Sequence, residues 1–481
     1  MRNKRLNLHF IGIGGIGMSA IAEILLTQGY SVSGSDAAAS DQTERLRELG
    51  AKISVGHAAE NVTGAQVVVR SSAIRPANPE WVEARRLGIP VIPRAEMLGE
   101  LMRGKVGIAV SGTHGKTTSS SMLGAILSHA GNDPTLVIGG KLNSIGTNAK
   151  LGGGEFVVAE ADESDGSFHH LPATYAIVTN IDADHLDHFG TLSAIEDAFV
   201  DFVGRIPFYG VTAVCIDDPG VSRCLPRFTK PIVTYGIFDS AEHDGSADFL
   251  AASLKVDGMG TAFQVLGRQG PGLPHQLLGH ARVSVPGRHN VQNALGAIAI
   301  AMRLDLPFET IAAGLARYDG VRRRFDVRWK NKTGTQLVVD DYGHHPVEVS
   351  ATITSARAFW PGRIITVFQP HRYSRTRNCF QDFTRAFKGS DRVLITDIYS
   401  AGEDPIPGVD AASLAQAISQ TGPQAGPKDT RYVGSLEAAR KEVLAEFHDG
   451  DLVLCLGAGS VTRLAAELAA IMQSRAQDLQ E

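Results

Sequence analysis

VGIAVSGTHGKTTS, residues 106–119, decides the architecture. An apolar run, VGIAVSG (106–112), passes directly into a glycine-bounded turn, and a helix is expected to open at about Thr117. Strand, glycine turn and helix in that order begin a βαβ unit, which needs a parallel sheet covered on both faces. The strict phosphate-loop spacing asks for a glycine where Val110 stands. The shorter GTHGKTT form still suits a triphosphate. Backbone N–H groups along Gly112, Thr113, His114, Gly115 and Thr118 can cradle phosphate oxygens, Lys116 can neutralise them, and Thr117 offers a hydroxyl to Mg2+. The helix N-terminus adds positive dipole character. The plain alternative is a glycine turn carrying a surface lysine.

The same grammar recurs on either side. LHFIGI (8–13) runs into GIGGIG (12–17), which fits G-x-G-x-x-G through Gly12, Gly14 and Gly17, with Gly15 between them. A second strand, YSVSGSD (30–36), ends in Asp36, nineteen residues past Gly17, where an acid commonly meets a ribose hydroxyl. This loop suits a nucleotide diphosphate, does not by itself separate NAD from another such ligand, and could be a tight turn without one. QVVVRSSAI (66–74) and RLGIPVIPRAEML (86–98) continue the alternation. After residue 119, EFVVAE (155–160) and TYAIVTNI (174–181) are buried-strand candidates, 236–286 is expected to be an antiparallel insertion or edge region, and 290–304 an amphipathic helix. From about Val321, QLVVDDYG, GRIITVFQP, RVLITDIYS and DLVLCLGAGS are strands ending in polar loops, with TGPQAGPKDT (421–430) an exposed loop. The expectation is an α/β protein of three domains: Rossmann-like over 1–103, a P-loop-type ATPase over 104–320, and Rossmann-like again over 321–481.

Composition agrees. The chain has 481 residues, about three domains' worth. Forty-six Lys and Arg against 51 Asp and Glu give a formal net charge of −5, which lends no general attraction to nucleic acid or anionic membrane. The 52 glycines exceed the usual share, as expected where backbones turn sharply or approach phosphates. Cys215, Cys224, Cys379 and Cys455 form no CxxC pair, and no apolar stretch is long enough to span a membrane, so a reducing cytoplasm is the expected address.

Phosphate chemistry needs a metal. Glu160 ends EFVVAE, where a metal-binding acid lies in nucleotide-binding α/β sheets; Asp162, Glu163 and Asp165 behind it could be a solvated acidic loop. His185, among Asp182, Asp184, Asp187 and His188, is a candidate for a metal or phosphate role, with a structural histidine as the alternative.

Taken together, GIGGIGMS, SGTHGKTT, AEADESD, NIDADHLDH, GRHNVQNA, GVRRRFD, DDYGHHP and FQPHRYSRT resemble the Mur ligases, in that order and over nearly the whole chain. The resemblance implies an enzyme that joins L-alanine to the lactyl carboxylate of UDP-N-acetylmuramate at the expense of ATP, in peptidoglycan precursor synthesis. It implies that Gly12, Gly14, Gly15, Gly17, Asp36, Ser71 and Ser72 bind the UDP-sugar. Lys116 and Thr117 would hold the ATP phosphates and Mg2+, Glu160 would ligate that ion, and His185 would serve a second one. Asn290, Asn293, Arg324 and Asp341 would approach ATP, and Tyr342, His344, His371, Arg372 and Arg375 would surround the amino acid. The chain departs from the family at Ser460, where an acid is usual, and has no lysine between Lys150 and Lys230 to carry the carbamate that several members use.

The chemistry is coherent. A carboxylate becomes an acyl acceptor once ATP has phosphorylated it, and transfer between two anions needs concentrated positive charge. Lys116, Mg2+ and Arg324 could supply it; Arg372 and Arg375 suit an amino-acid carboxylate, and His344 or His371 could receive the amine's proton. Shielding an acyl phosphate from water implies open and closed states. The partners expected are small molecules, with no nucleic acid or membrane, and the enzyme a monomer or homodimer. Three other readings compete: a ligase that recycles a whole tripeptide onto the same sugar, a nicotinamide-dependent dehydrogenase, and a nucleotide-dependent switch. The dehydrogenase leaves GTHGKTT and Glu160 unexplained.

Overall fold

The computed structural model describes residues 4, 6–141, 143, 147–163, 166–184, 186–238, 247–268, 270, 272–422 and 426–478. Among these residues three sheets form. The first comprises β1 (Asn7–Ile11), β2 (Ser31–Asp36), β3 (Lys52–Val55), β4 (Val67–Arg70) and β5 (Val91–Pro93) in the order β3-β2-β1-β4-β5, every pair parallel. Strand β1 is central and nearly all buried, as a parallel strand covered on both faces must be. Gly34 faces Phe10 across the β1–β2 ladder. A Cβ there would lie 2.6 Å from the Ile13 side chain, so only glycine lets the turn after β1 fold back over β2.

The second sheet has β6 (Val106–Ser111), β7 (Thr135–Val137), β8 (Ala149–Lys150), β9 (Phe156–Glu160), β10 (Tyr175–Val178), β11 (Val211–Cys215), β12 (Ile232–Ile237), β13 (Phe249–Asp257), β14 (Gly260–Gly267) and β15 (Gln276–Val283). Their order is β15-β14-β13-β12-β11-β10-β6-β9-β7-β8, so the expected edge region after residue 236 supplies β13 to β15 at one margin. The run from β7 to β13 is parallel and β8 is antiparallel. From β6 the chain builds first on the β9 side and then crosses to β10. The crevice at the carboxyl end of β6 is therefore a switch point, where doubly wound sheets bind ligands. Register brings the strand ends together there, with Ser111 beside Val178 and Val110 beside Glu160.

The third sheet contains β16 (Asp326–Lys330), β17 (Leu337–Asp341), β18 (Ile364–Phe368), β19 (Arg392–Thr396), β20 (Asp429–Gly434) and β21 (Leu452–Leu456), in the order β16-β17-β21-β18-β19-β20. Only β16, at the margin, runs antiparallel. Asp341 and Phe368 both pair with Leu456, so the loops after β17, β18 and β21 leave the sheet side by side. Strand β20 begins at Asp429, inside the stretch 421–430 expected to be loop; it and β16 are edge strands with few buried residues, so no apolar run announces them.

By packing, the chain forms two compact units. One holds 1–254, 263–282 and 291–318; the other holds 255–262, 283–290 and 319–481. In the first, one apolar core runs from Ile21, Met97 and Met102 to Phe168, Leu171 and Phe199. In the second, two clusters cover the faces of the third sheet, one around Val339, Ile353 and Phe368, the other around Val367, Val453 and Leu464. No disulfide joins the four cysteines, and among the described residues no helix is long and apolar enough to cross a membrane.

Candidate active site

The loop after β6 is held open by glycine. Gly112 (φ +133°) and Gly115 (φ +83°) adopt backbone conformations that side chains rarely tolerate. A Cβ on Gly112 would meet the Thr179 hydroxyl at 2.0 Å, and one on Gly115 the Asn293 Oδ1 at 2.4 Å. The helix Lys116–His129 starts directly on this turn, with Thr117 and Thr118 buried in its first turn and Gly115 at its N-cap. Its first amides are aimed at the loop, as an anion cradle requires.

The residues following β10 strap the loop in place. The Asn180 side chain accepts from the His114 amide at 2.8 Å and donates to the His114 carbonyl at 3.0 Å. The Thr179 hydroxyl donates to that carbonyl at 2.6 Å, and the Asp182 amide donates to the Thr113 hydroxyl at 2.9 Å. Thr179 and Asn180 were not singled out from the sequence; the signal was the polar pair that ends TYAIVTNI. Behind the loop, Asn293 accepts from the Ser119 hydroxyl at 3.2 Å. Asn290, one helical turn earlier, donates to the Pro286 carbonyl.

Lys116 is engaged on all sides. Its Nζ donates to the Gly112 carbonyl at 2.6 Å and lies 3.3 Å from that of Thr113 and 2.8 Å from both Glu163 oxygens. Burial works against the charged amine, but Glu163, Asp162 and Glu160 together outweigh it and hold the lysine protonated. The expectation that Glu163 belongs to a solvated loop is therefore corrected: it is 2 % exposed and paired. Glu160, at the end of β9, accepts from the Gly139 amide. The Thr117 hydroxyl and the Glu160 carboxylate are oxygen donors of the kind a hard divalent cation takes. His185 and Asp165 lie outside the described residues.

In the first sheet, the amides of Gly12 and Ile13 donate to the Ser35 carbonyl at 2.9 and 3.0 Å, and the Gly14 amide donates to Asp36 Oδ2 at 2.8 Å. Asp36 thus shapes the glycine loop itself. Gly15 caps the helix Ile16–Thr27, Gly17 is packed under Arg94, and Ser71 sits 3.3 Å from where a Gly12 Cβ would be. Ser72 is exposed beside it.

The second unit gathers the remaining candidates. Asp341 is buried and accepts from the Phe325 and Gly343 amides, each at 2.7 Å; burial pushes its carboxyl up, against the pull of Arg324. It therefore shapes the loop. Arg323 and Arg324 lie over the Tyr342 ring at 4.7 and 5.2 Å. His344 packs edge-on to His371, whose ring stacks on Tyr399 and whose Nδ1 is 3.5 Å from Arg375. Arg372 (φ +69°) donates its amide to the Tyr399 carbonyl, turning the chain so that His371 and Arg375 meet. Burial, then His344, Arg375 and Arg372, push His371 down to about 3. A base that weak is a hydrogen-bond acceptor and a poor proton store. Glu348, missed in the sequence, accepts from the His344 amide at 3.1 Å and faces His344 Nδ1 at 3.2 Å and Arg324 at 3.5 Å.

Family comparison accounts for all three sheets. The model of the Mur ligase family, catalytic domain, matches residues 7–106; that of the Mur ligase middle domain matches 110–301; and that of the Mur ligase, glutamate ligase domain, matches 323–459. The chain belongs to the Mur ligase family. Mur ligases are ATP-dependent, in keeping with the cradle around Lys116. Among the relatives, the UDP-N-acetylmuramate--L-alanine ligase of Pelobacter propionicus is 50% identical over 475 residues, 98% of this chain and 99% of that one. Its counterpart in Geobacter sulfurreducens is 52% identical over 463 residues, 96% of each chain. The crystal structure of the UDP-N-acetylmuramate-alanine ligase MurC from Thermotoga maritima superposes with a TM-score of 0.80 at 27% identity, over 98% of this chain and all of that one. A murein peptide ligase from Psychrobacter arcticus, 24% identical, shares the fold with a TM-score of 0.67, over 97% of this chain and 98% of that one. This Mur ligase thus carries the family's three α/β domains, each with a polar loop cluster at the carboxyl ends of its strands.

Proposed function

We propose that the chain is an ATP-dependent ligase joining L-alanine to the lactyl carboxylate of UDP-N-acetylmuramate, giving UDP-N-acetylmuramoyl-L-alanine, ADP and phosphate. The observation that carries this reading is the 50–52% identity, end to end, with ligases of that name. The domains are taken as 1–103 for the UDP-sugar, 104–320 for ATP and 321–481 for the amino acid, acting in the cytoplasm as a monomer or homodimer.

The geometry supports the chemistry. The sugar carboxylate attacks the γ-phosphorus of ATP and ADP leaves. The alanine amine then attacks the acyl phosphate, and phosphate leaves with the carboxylate's former oxygen. Lys116 and the helix N-terminus at Gly115 place positive charge where two anions must meet. Thr117 and Glu160 would hold Mg2+, which when bound neutralises the β- and γ-phosphates. The loop Gly12 to Gly17 receives the UDP diphosphate at the N-terminus of the helix Ile16–Thr27, with Ser71 and Ser72 beside it. Arg372 and Arg375 hold the amino-acid carboxylate, and Tyr342 and His371 wall the pocket. His344, oriented by Glu348, takes the ammonium proton.

Phosphate release with Mg-ATP and UDP-N-acetylmuramate, offering L-alanine and the tripeptide L-alanyl-γ-D-glutamyl-meso-diaminopimelate separately, tests this. Turnover that requires L-alanine is expected. Turnover only with the tripeptide would move the enzyme to recycling, and release without any acceptor would make it a switch.

A further inference from the structure

Lys116, the cation that the ATP reading relies on, is already saturated. A lysine ammonium has three N–H groups, and four acceptors lie within 3.3 Å of this one: the Gly112 and Thr113 carbonyls and both oxygens of Glu163. The carbonyls belong to the same loop as the lysine. Glu163 comes from a different strand end and is fixed by its own turn, where the Gly166 amide donates to the Glu163 carbonyl at 2.9 Å and the Phe168 amide to that of Asp162 at 3.0 Å. Its carboxylate is almost wholly buried, and Lys116 is its counter-charge. Two carboxylate oxygens at equal distances from an ammonium present the same charge and acceptor pattern as two oxygens of a phosphate.

We propose that Glu163 is a positioning residue for Lys116 that the nucleotide must displace: its carboxylate engages the lysine's ammonium, and ATP binds by exchanging one anion for the other. This rests on the reading of the loop as an ATP site. The exchange has two consequences. Part of the free energy of phosphate binding is spent breaking a buried ion pair, so the pair weakens binding of nucleotides that reach Lys116 and leaves those that do not unaffected. The waiting carboxylate also recaptures the lysine as products leave, which hastens release.

The test is calorimetric titration of the full-length enzyme and its Glu163→Gln and Glu163→Asp variants with a non-hydrolysable ATP analogue and with adenosine. Removing a charged competitor for one ammonium should tighten analogue binding by about tenfold in Glu163→Gln. Adenosine affinity should not change, and Glu163→Asp should return toward wild type. Steady-state kinetics should show KM for ATP and kcat falling together in Glu163→Gln. Equal or weaker analogue binding by a folded Glu163→Gln enzyme overturns the proposal, as does a parallel change for adenosine, which would mark a merely structural role. A crystal structure of the wild-type analogue complex decides the matter without any variant: Lys116 still at ion-pair distance from Glu163 overturns it. Failure of the wild-type enzyme to bind the analogue at all would overturn the ATP reading itself, and this proposal with it.

Discussion

Gly115 and Asn293 are packed so closely that a single methyl group on the glycine would lie 2.4 Å from the asparagine Oδ1. The residues are far apart in sequence, one opening the helix Lys116–His129 and the other in the helix Arg288–Arg303. Their contact packs the glycine loop directly against that second helix. Gly115→Ala therefore meets both a strained backbone and an occupied space. The expected outcome is a loss of about 100-fold in kcat/KM for ATP, the cost of displacing positioned groups by about 1 Å. Circular dichroism should show the fold retained, and activity within threefold of wild type would contradict this account.

Lys116→Ala separates two sites. The diphosphate loop is built on β1 and β2, with its amides tied to Ser35 and Asp36. None of those bonds involves Lys116. Turnover should vanish while calorimetry shows UDP-N-acetylmuramate binding largely intact. Loss of sugar binding in a folded variant would refute the assignment of separate loops.

Asp341 is a structural acceptor before it is anything else. Replacing it with alanine leaves the Phe325 and Gly343 amides unsatisfied in a buried place. The expected destabilisation is about 2–4 kcal/mol, measured by urea unfolding. Asp341→Asn, which keeps one acceptor oxygen, should lose less. Equal stability of the alanine variant and the wild type would show that the two amides find other acceptors.

Acid should destabilise the protein in two stages. His371, down at about 3, and His289, pushed down to about 4 by burial and by Arg324, stay neutral in the fold. Below their ordinary 6.5 the unfolded chain takes up protons that the native state refuses, so their contribution drains as pH falls from 6.5 toward 3. Glu80 acts lower down. Its burial favours the neutral acid, but bonds from His9, Asn61 and Ser35 prevail and hold it at about 2. Its contribution is complete above its ordinary 4.5 and is lost as pH falls toward 2. The urea midpoint should drop between pH 7 and pH 4 and more steeply below 4.5, and Glu80→Gln should remove the lower stage only. A midpoint constant from pH 7 to 4 would contradict the histidine assignments.

The α/β class, the central strands and the glycine turns were legible in the amino-acid sequence. β6 and β21 are nearly all buried and show as apolar runs, β1 and β17 as shorter ones broken by polar residues, and a glycine needed for a positive φ is visible as a glycine. The edge strands β16 and β20 were not legible, since a strand half in solvent has no such run. Nor was the partner of Lys116: Glu163 stands in an acidic string that looks solvated until β9 is placed beside β6 and buries it. Only the tertiary structure showed that Thr179 and Asn180 strap the phosphate loop, that Asp36 and Asp341 hold backbone amides, and that Glu348 orients His344. Periodicity and local turn chemistry are properties of neighbours in the chain. Which carboxylate meets which cation depends on strand order and register, and these are decided by how the apolar faces of distant segments pack.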